Sequence, residues 1–117
     1  EIAKEKKSSS PGYLIQRWLR SSAAIEYLRM WEKIYNPRFQ EAACDKLIHT
    51  VKTTSTTLTP SLWINTTHAM GMRTSRGKGG GTTAQPEIAT MFRAWLFPEI
   101  LLDIVRCYRM MQPMLFP

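Results

Sequence analysis

One stretch constrains the fold more than any other. Residues Met72-Arg73-Thr74-Ser75-Arg76-Gly77-Lys78-Gly79-Gly80-Gly81-Thr82-Thr83-Ala84 hold four glycines, three cations and no acid. Glycine loses the most backbone freedom on ordering, so this run resists helix. Its β-branched threonines suit a pleated strand instead. Met72 to Arg73 and Thr82 to Ala84 read as two short strands joined by a Gly-rich tip, a β-hairpin. The fold must therefore mix α and β.

On either side the chain reads as helix. Apolar residues at 14, 15, 18 and 19 have helical spacing, with Gln16, Arg17 and Arg20 off that stripe. The preceding Ser8-Ser9-Ser10-Pro11-Gly12 reads as loop. Ser21 or Ser22 can cap a second helix, which carries Ala24, Tyr27, Leu28, Trp31, Ile34 and Tyr35 on one face. Asn36-Pro37 stops it. Phe39 to Val51 leaves two readings open, a short helix or a loop around a strand. Lys52 to Thr57, polar and β-branched, reads as loop or edge strand. Thr59-Pro60 is a helix start, because Thr59 can accept from the first-turn N–H groups and Pro60 has none to lose. That helix is expected to reach Ala69 or Met70, with Gly71 as its left-handed terminator. Pro86 and Pro98 start two more helices. The first carries Ile88, Met91, Phe92, Trp95 and Leu96 on one stripe. The second carries Leu101, Ile104, Val105, Tyr108 and Met111, and Pro113 ends it. All four tryptophans fall on such stripes, which points to core packing rather than to an exposed stacking platform.

The fold class is thus α+β: a small, mostly helical single domain over residues 1–117, with one hairpin. A chain of 117 residues with 44% hydrophobic content can hold one core without staples. Sixteen Lys and Arg against nine Asp and Glu give +7, which favours polyanions, nucleic acid first. No acid falls between Asp45 and Glu87. Cys44 and Cys107 are too few for a disulfide framework, and His49 and His68 lack zinc spacing. Reduced thiols and a cytoplasmic protein follow as expectations, with no metal and no cofactor. Arg76-Gly77-Lys78-Gly79 lacks the Lys-Ser/Thr pair of a nucleotide phosphate loop. Neither a Gly-x-Ser-x-Gly elbow nor a Cys/His pair marks a nucleophile, so an enzyme is not expected.

The runs Ile15-Gln16-Arg17-Trp18-Leu19-Arg20, Ile25-Glu26-Tyr27-Leu28, Trp31-Glu32 and Asn36-Pro37-Arg38-Phe39 resemble the first half of a KilA-N domain. Leu58-Thr59-Pro60-Ser61-Leu62-Trp63-Ile64, Thr67-His68-Ala69-Met70-Gly71-Met72 and Gly80-Gly81-Thr82-Thr83-Ala84-Gln85-Pro86-Glu87-Ile88-Ala89 resemble the second. So does Trp95-Leu96-Phe97-Pro98-Glu99. The family usually has Asn where His68 stands, an aromatic at Thr83 and His at Gln85. The resemblance implies a winged-helix-like fold with the hairpin as wing. It also implies double-stranded DNA as partner, and a role in phage or prophage transcription or development. Family members usually have a strand ahead of Glu1, so a fragment of a longer protein is expected.

Candidate DNA-contacting residues follow from both lines. In the hairpin, Arg73, Arg76 and Lys78 supply charge, Gly79 and Gly80 let backbone approach phosphate, and Ser75 can donate to it. Read without the resemblance, the same segment is equally a solvated loop. Lys52 lies in the acid-free stretch. Two helices compete for the major groove: that of Gln16, Arg17 and Arg20, and that of Asn65 with Thr66 and His68. A different reading is a protein-interaction module without DNA contact, docking another protein or another domain of the same chain through Met114-Leu115-Phe116. No membrane or small-molecule partner is expected.

Overall fold

The computed structural model describes residues 11–75 and 81–112. The N-terminal charged segment, the hairpin tip with Arg76, Lys78, Gly79 and Gly80, and the Pro113–Phe116 region lie outside the described residues. Among those described, six helices and one two-stranded sheet follow in order: α1 (Pro11–Leu19), α2 (Ser22–Tyr35), α3 (Glu41–Thr54), α4 (Pro60–Thr67), β1 (Met72–Ser75), β2 (Gly81–Ala84), α5 (Pro86–Leu96) and α6 (Pro98–Met111). The strands pair antiparallel, with Met72 opposite Ala84 and Ser75 opposite Gly81. No described helix is long and apolar enough to cross a membrane. The α+β, mostly helical class with one antiparallel hairpin is what the sequence reading expects.

Local chemistry sets most boundaries. Ser21 Oγ accepts from the Ala24 N–H at 3.4 Å, and Thr59 Oγ1 accepts from the Leu62 N–H at 3.1 Å. Each satisfies a first-turn donor that the helix itself cannot. Pro60, Pro86 and Pro98 all open their helices, where a missing N–H costs nothing.

Three expectations need correction. Pro11 and Gly12 belong to the first turn of α1, not to the preceding loop. Residues 41–54 form one 14-residue helix, so Lys52, Thr53 and Thr54 are helical rather than loop or edge strand. Thr53 Oγ1 donates to the His49 carbonyl at 2.9 Å and Thr54 Oγ1 to the Thr50 carbonyl at 2.6 Å. This back-bonding satisfies hydroxyls that would otherwise compete with the helix. Finally, α4 ends at Thr67, and His68 (φ 59°) is its left-handed cap, not Gly71.

The core sits where α1, α2, α3, α4 and α5 converge. Leu14, Leu19, Leu28, Cys44, Trp63, Ile88 and Leu96 are essentially inaccessible. Trp18 packs on Phe92 at 5.1 Å between ring centres, and Phe39 on Trp63 at 5.9 Å. Trp18 and Trp63 are buried. Trp31 and Trp95 are half-buried, so only two of the four tryptophans are full core residues. Trp31 Nε1 donates to Glu87 at 3.2 Å, and Tyr27 Oη donates to the Glu87 carbonyl at 2.9 Å, tying α2 to the start of α5. Ile34 and Tyr35, placed on the apolar face of α2 by spacing, are exposed.

Candidate nucleic-acid interface

The site is built around the turn from α4 to β1. A buried carboxyl holds that turn. Glu32, near the end of α2, is fully inaccessible. Its Oε1 accepts from the Met70 N–H at 2.9 Å and from Asn36 Nδ2 at 2.8 Å, and its Oε2 accepts from the Gly71 N–H at 2.8 Å. Asn36 Nδ2 also donates to the His68 carbonyl at 2.9 Å, while its Oδ1 accepts from the Arg38 N–H at 3.0 Å. A carboxyl out of water is costly unless its lone pairs find donors. Here three donors meet it, and the cost is offset by fixing residues 68–71.

Gly71 completes the clasp for a steric reason. A Cβ there would lie 2.4 Å from Ile88 Cδ1, 2.8 Å from Glu32 Oε2 and 3.1 Å from Trp31 Cε3. Its carbonyl accepts from the Gln85 N–H at 2.8 Å, which brings the end of the hairpin back onto the turn. The position needs a missing side chain rather than a left-handed backbone.

The clasp sets α4 and β1 side by side, with a groove of about 530 Å³ between them. Ser61, Ile64 and Asn65 line it from α4, Ala69 and Met70 from the turn, and Met72, Arg73, Thr74 and Ser75 from β1. Among the described residues, Arg73 is its single charged lining residue and no acid lines it. Asn65, Arg73 and Ser75 are exposed. Arg73 and Ser75 share one face of the strand by the two-residue period. Thr74 Oγ1 lies 3.2 Å from Thr82 Oγ1, a cross-strand contact that steadies the pair.

Three of the expected contact residues thus meet in one groove, together with Ser61 and Thr74, which the sequence reading did not single out. The α1 candidates do not line it. The Arg17 guanidinium lies 5.6 Å from the Trp95 ring centre and 5.9 Å from that of Tyr13, against the last turn of α5. Gln16 is half-buried and Arg20 exposed. Lys52 is exposed on the last turn of α3. Thr66 is half-buried, and the His68 side chain is exposed while its backbone caps α4. Arg76, Lys78, Gly79 and Gly80 fall outside the described residues.

Elsewhere, Arg29 bridges Asp45 and Glu41, and Lys33 reaches Glu41 at 3.4 Å, tying α2 to α3. A second groove, of about 240 Å³, opens between α1, the hairpin and α5. Among the described residues, Ile15, Trp18, Ile88 and Phe92 give it an apolar lining, and Thr82 and Thr83 bring hydroxyls. No group of three or more potential metal ligands occurs among the described residues. The chain matches no protein-family model, no curated protein and no solved structure.

Proposed function

We propose that the chain binds double-stranded DNA as a winged-helix-like, KilA-N-type module. In this reading α4 enters the major groove and the β1–β2 hairpin lies along the backbone as the wing. The observation that carries the reading is the groove that draws Asn65 on a helix together with Arg73 and Ser75 on a strand, with no acid among its described lining residues. A helix can hold Asn65 in the geometry that pairs with adenine, whereas Arg73 and Ser75 suit phosphate. The net charge of +7 supplies the long-range attraction. The resemblance gains support from His68, which takes a left-handed backbone where the family usually has Asn, a residue that tolerates that conformation. A role in phage or prophage regulation, and the cytoplasm as its place, belong to the same proposal. A protein-interaction module is the second reading, favoured by the apolar residues exposed on α6.

The experiment is anisotropy on a duplex selected from random sequence and on a scrambled one. Asn65→Ala should cost about 1–3 kcal/mol on the selected site and little on the scrambled one. Arg73→Ala should weaken both alike and flatten the log–log salt slope by about 0.9. If neither variant changes binding to either duplex, the DNA reading falls.

A further inference from the structure

The last helix is at odds with the rest of the molecule. Alone among the described helices, α6 has no buried residue. Leu101, Ile104, Val105 and Tyr108, which share one side of the helix, are between 38% and 65% exposed. A 14-residue helix is close to the shortest that holds together unaided in water, and an apolar stripe along it favours a covering partner.

The pattern of α6 indicates which partner fits. Leu101, Ile104, Tyr108 and Met111 follow the alternating three- and four-residue spacing of a helix–helix seam. Reversing the helix about its midpoint, between Ile104 and Val105, exchanges Leu101 with Tyr108, Ile104 with Val105 and Pro98 with Met111. The four exposed residues that share one side, Leu101, Ile104, Val105 and Tyr108, thus map onto one another, while Met111 falls on Pro98. A two-fold interface requires that self-complementarity, since the same patch must serve on both sides. The charges agree. Glu99 and Asp103 lie in the first half of the helix, Arg106 and Arg109 in the second. An antiparallel pair sets the acidic half beside the basic half, whereas a parallel pair sets like beside like. The helix charges sum to zero, so pairing here adds no net repulsion of its own.

We infer that two copies of the chain associate through α6, antiparallel, with the two-fold axis passing between Ile104 and Val105. Near the axis Val105 faces Ile104 of the other copy, with the two Val105 offset by only about 1.5 Å along the helix axis, and Leu101 packs against Tyr108. The inference rests on α6 alone and is independent of the DNA reading. Two helices of about 21 Å cover less than the roughly 1,200 Å² of a standard stable interface, so the dimer is a reversible one.

Sedimentation equilibrium of the 117-residue chain, in reductant and without DNA, tests this from about 5 to 500 µM, a span that brackets micromolar affinities. The average mass should climb from 13.5 kDa towards twice that value. Ile104→Asp should hold it at the monomer with the circular dichroism of the body retained. In a Cys107→Ser background, Val105→Cys should oxidise to a covalent dimer. Leu101→Cys should not, because the antiparallel register sets its two copies about 10 Å apart along the helix axis, beyond disulfide reach. The inference is overturned by monomer mass at every concentration, by a dimer that survives Ile104→Asp, or by Leu101→Cys cross-linking in preference to Val105→Cys.

Discussion

At the residue scale, the two cysteines occupy opposite environments. Cys44 lies in the core, and burial pushes its thiol up to about 11, with Arg29 pulling down and Asp45, Glu26 and Glu41 adding to the rise. Cys107 is exposed on α6. A thiol reagent should label Cys107 alone in the native protein, and both residues after unfolding. Because the folded pKa of Cys44 lies above the unfolded value, the folded state retains its proton longer than the unfolded chain does. Stability from this group is complete below about pH 9 and declines through about pH 11, by about 2–3 kcal/mol in all. Urea titrations across that range should show the loss in the native sequence and a smaller one in Cys44→Ala. Glu32 offers a second test. In Glu32→Gln one acceptor becomes an N–H₂ group facing the Met70 or Gly71 N–H. We expect a loss of about 2–4 kcal/mol, read as a lower urea midpoint with unchanged slope.

At the scale of elements, α1 and α4 compete for the same role, and their surroundings differ. Arg17 is held against two rings, so its removal should act on stability, by about 0.5–1 kcal/mol, and leave duplex affinity nearly unchanged. Thermal unfolding and anisotropy on the same Arg17→Ala sample would separate the two effects; a large loss of affinity without loss of stability would return α1 to the interface. How far these elements were legible follows from the reach of their causes. The starts at Ser21, Thr59 and Pro86 rest on neighbours within three residues, so spacing and cap chemistry reveal them. The full length of α3 was not legible, because Thr53 and Thr54 are poor helix residues until their hydroxyls bond back to His49 and Thr50. The role of His68 was hidden for a similar reason: the left-handed turn is stabilised by Asn36, 32 residues earlier. Of the candidate site, Asn65 was readable as a polar group on the helix from Thr59, and Arg73 and Ser75 as polar groups of the hairpin. That α1 would not join them depends on Trp95, which no local pattern links to Arg17.

At the scale of the whole molecule, the net charge of +7 sets how strongly binding to a polyanion responds to salt. Among the described residues the groove is lined by one cation, Arg73, and the exposed Arg20 and Lys52 lie outside that lining. If about four to seven phosphates are neutralised, duplex affinity should fall on the order of a hundredfold or more between 50 and 200 mM salt. A salt titration by anisotropy reads this directly, and a flat response would contradict it. The Glu32 clasp has a different consequence. It joins residues 32–36 to residues 68–71, so α3 and α4 lie within a loop closed by hydrogen bonds to the buried Glu32 and Asn36 side chains. Holding the two ends of that segment together lowers the entropy the segment gains when α3 or α4 opens. We expect the amide protons of Met70 and Gly71 to exchange with solvent far more slowly than those of the strand that begins one residue later, which is open to water along most of its length; hydrogen exchange reads the difference, and equal rates would contradict it.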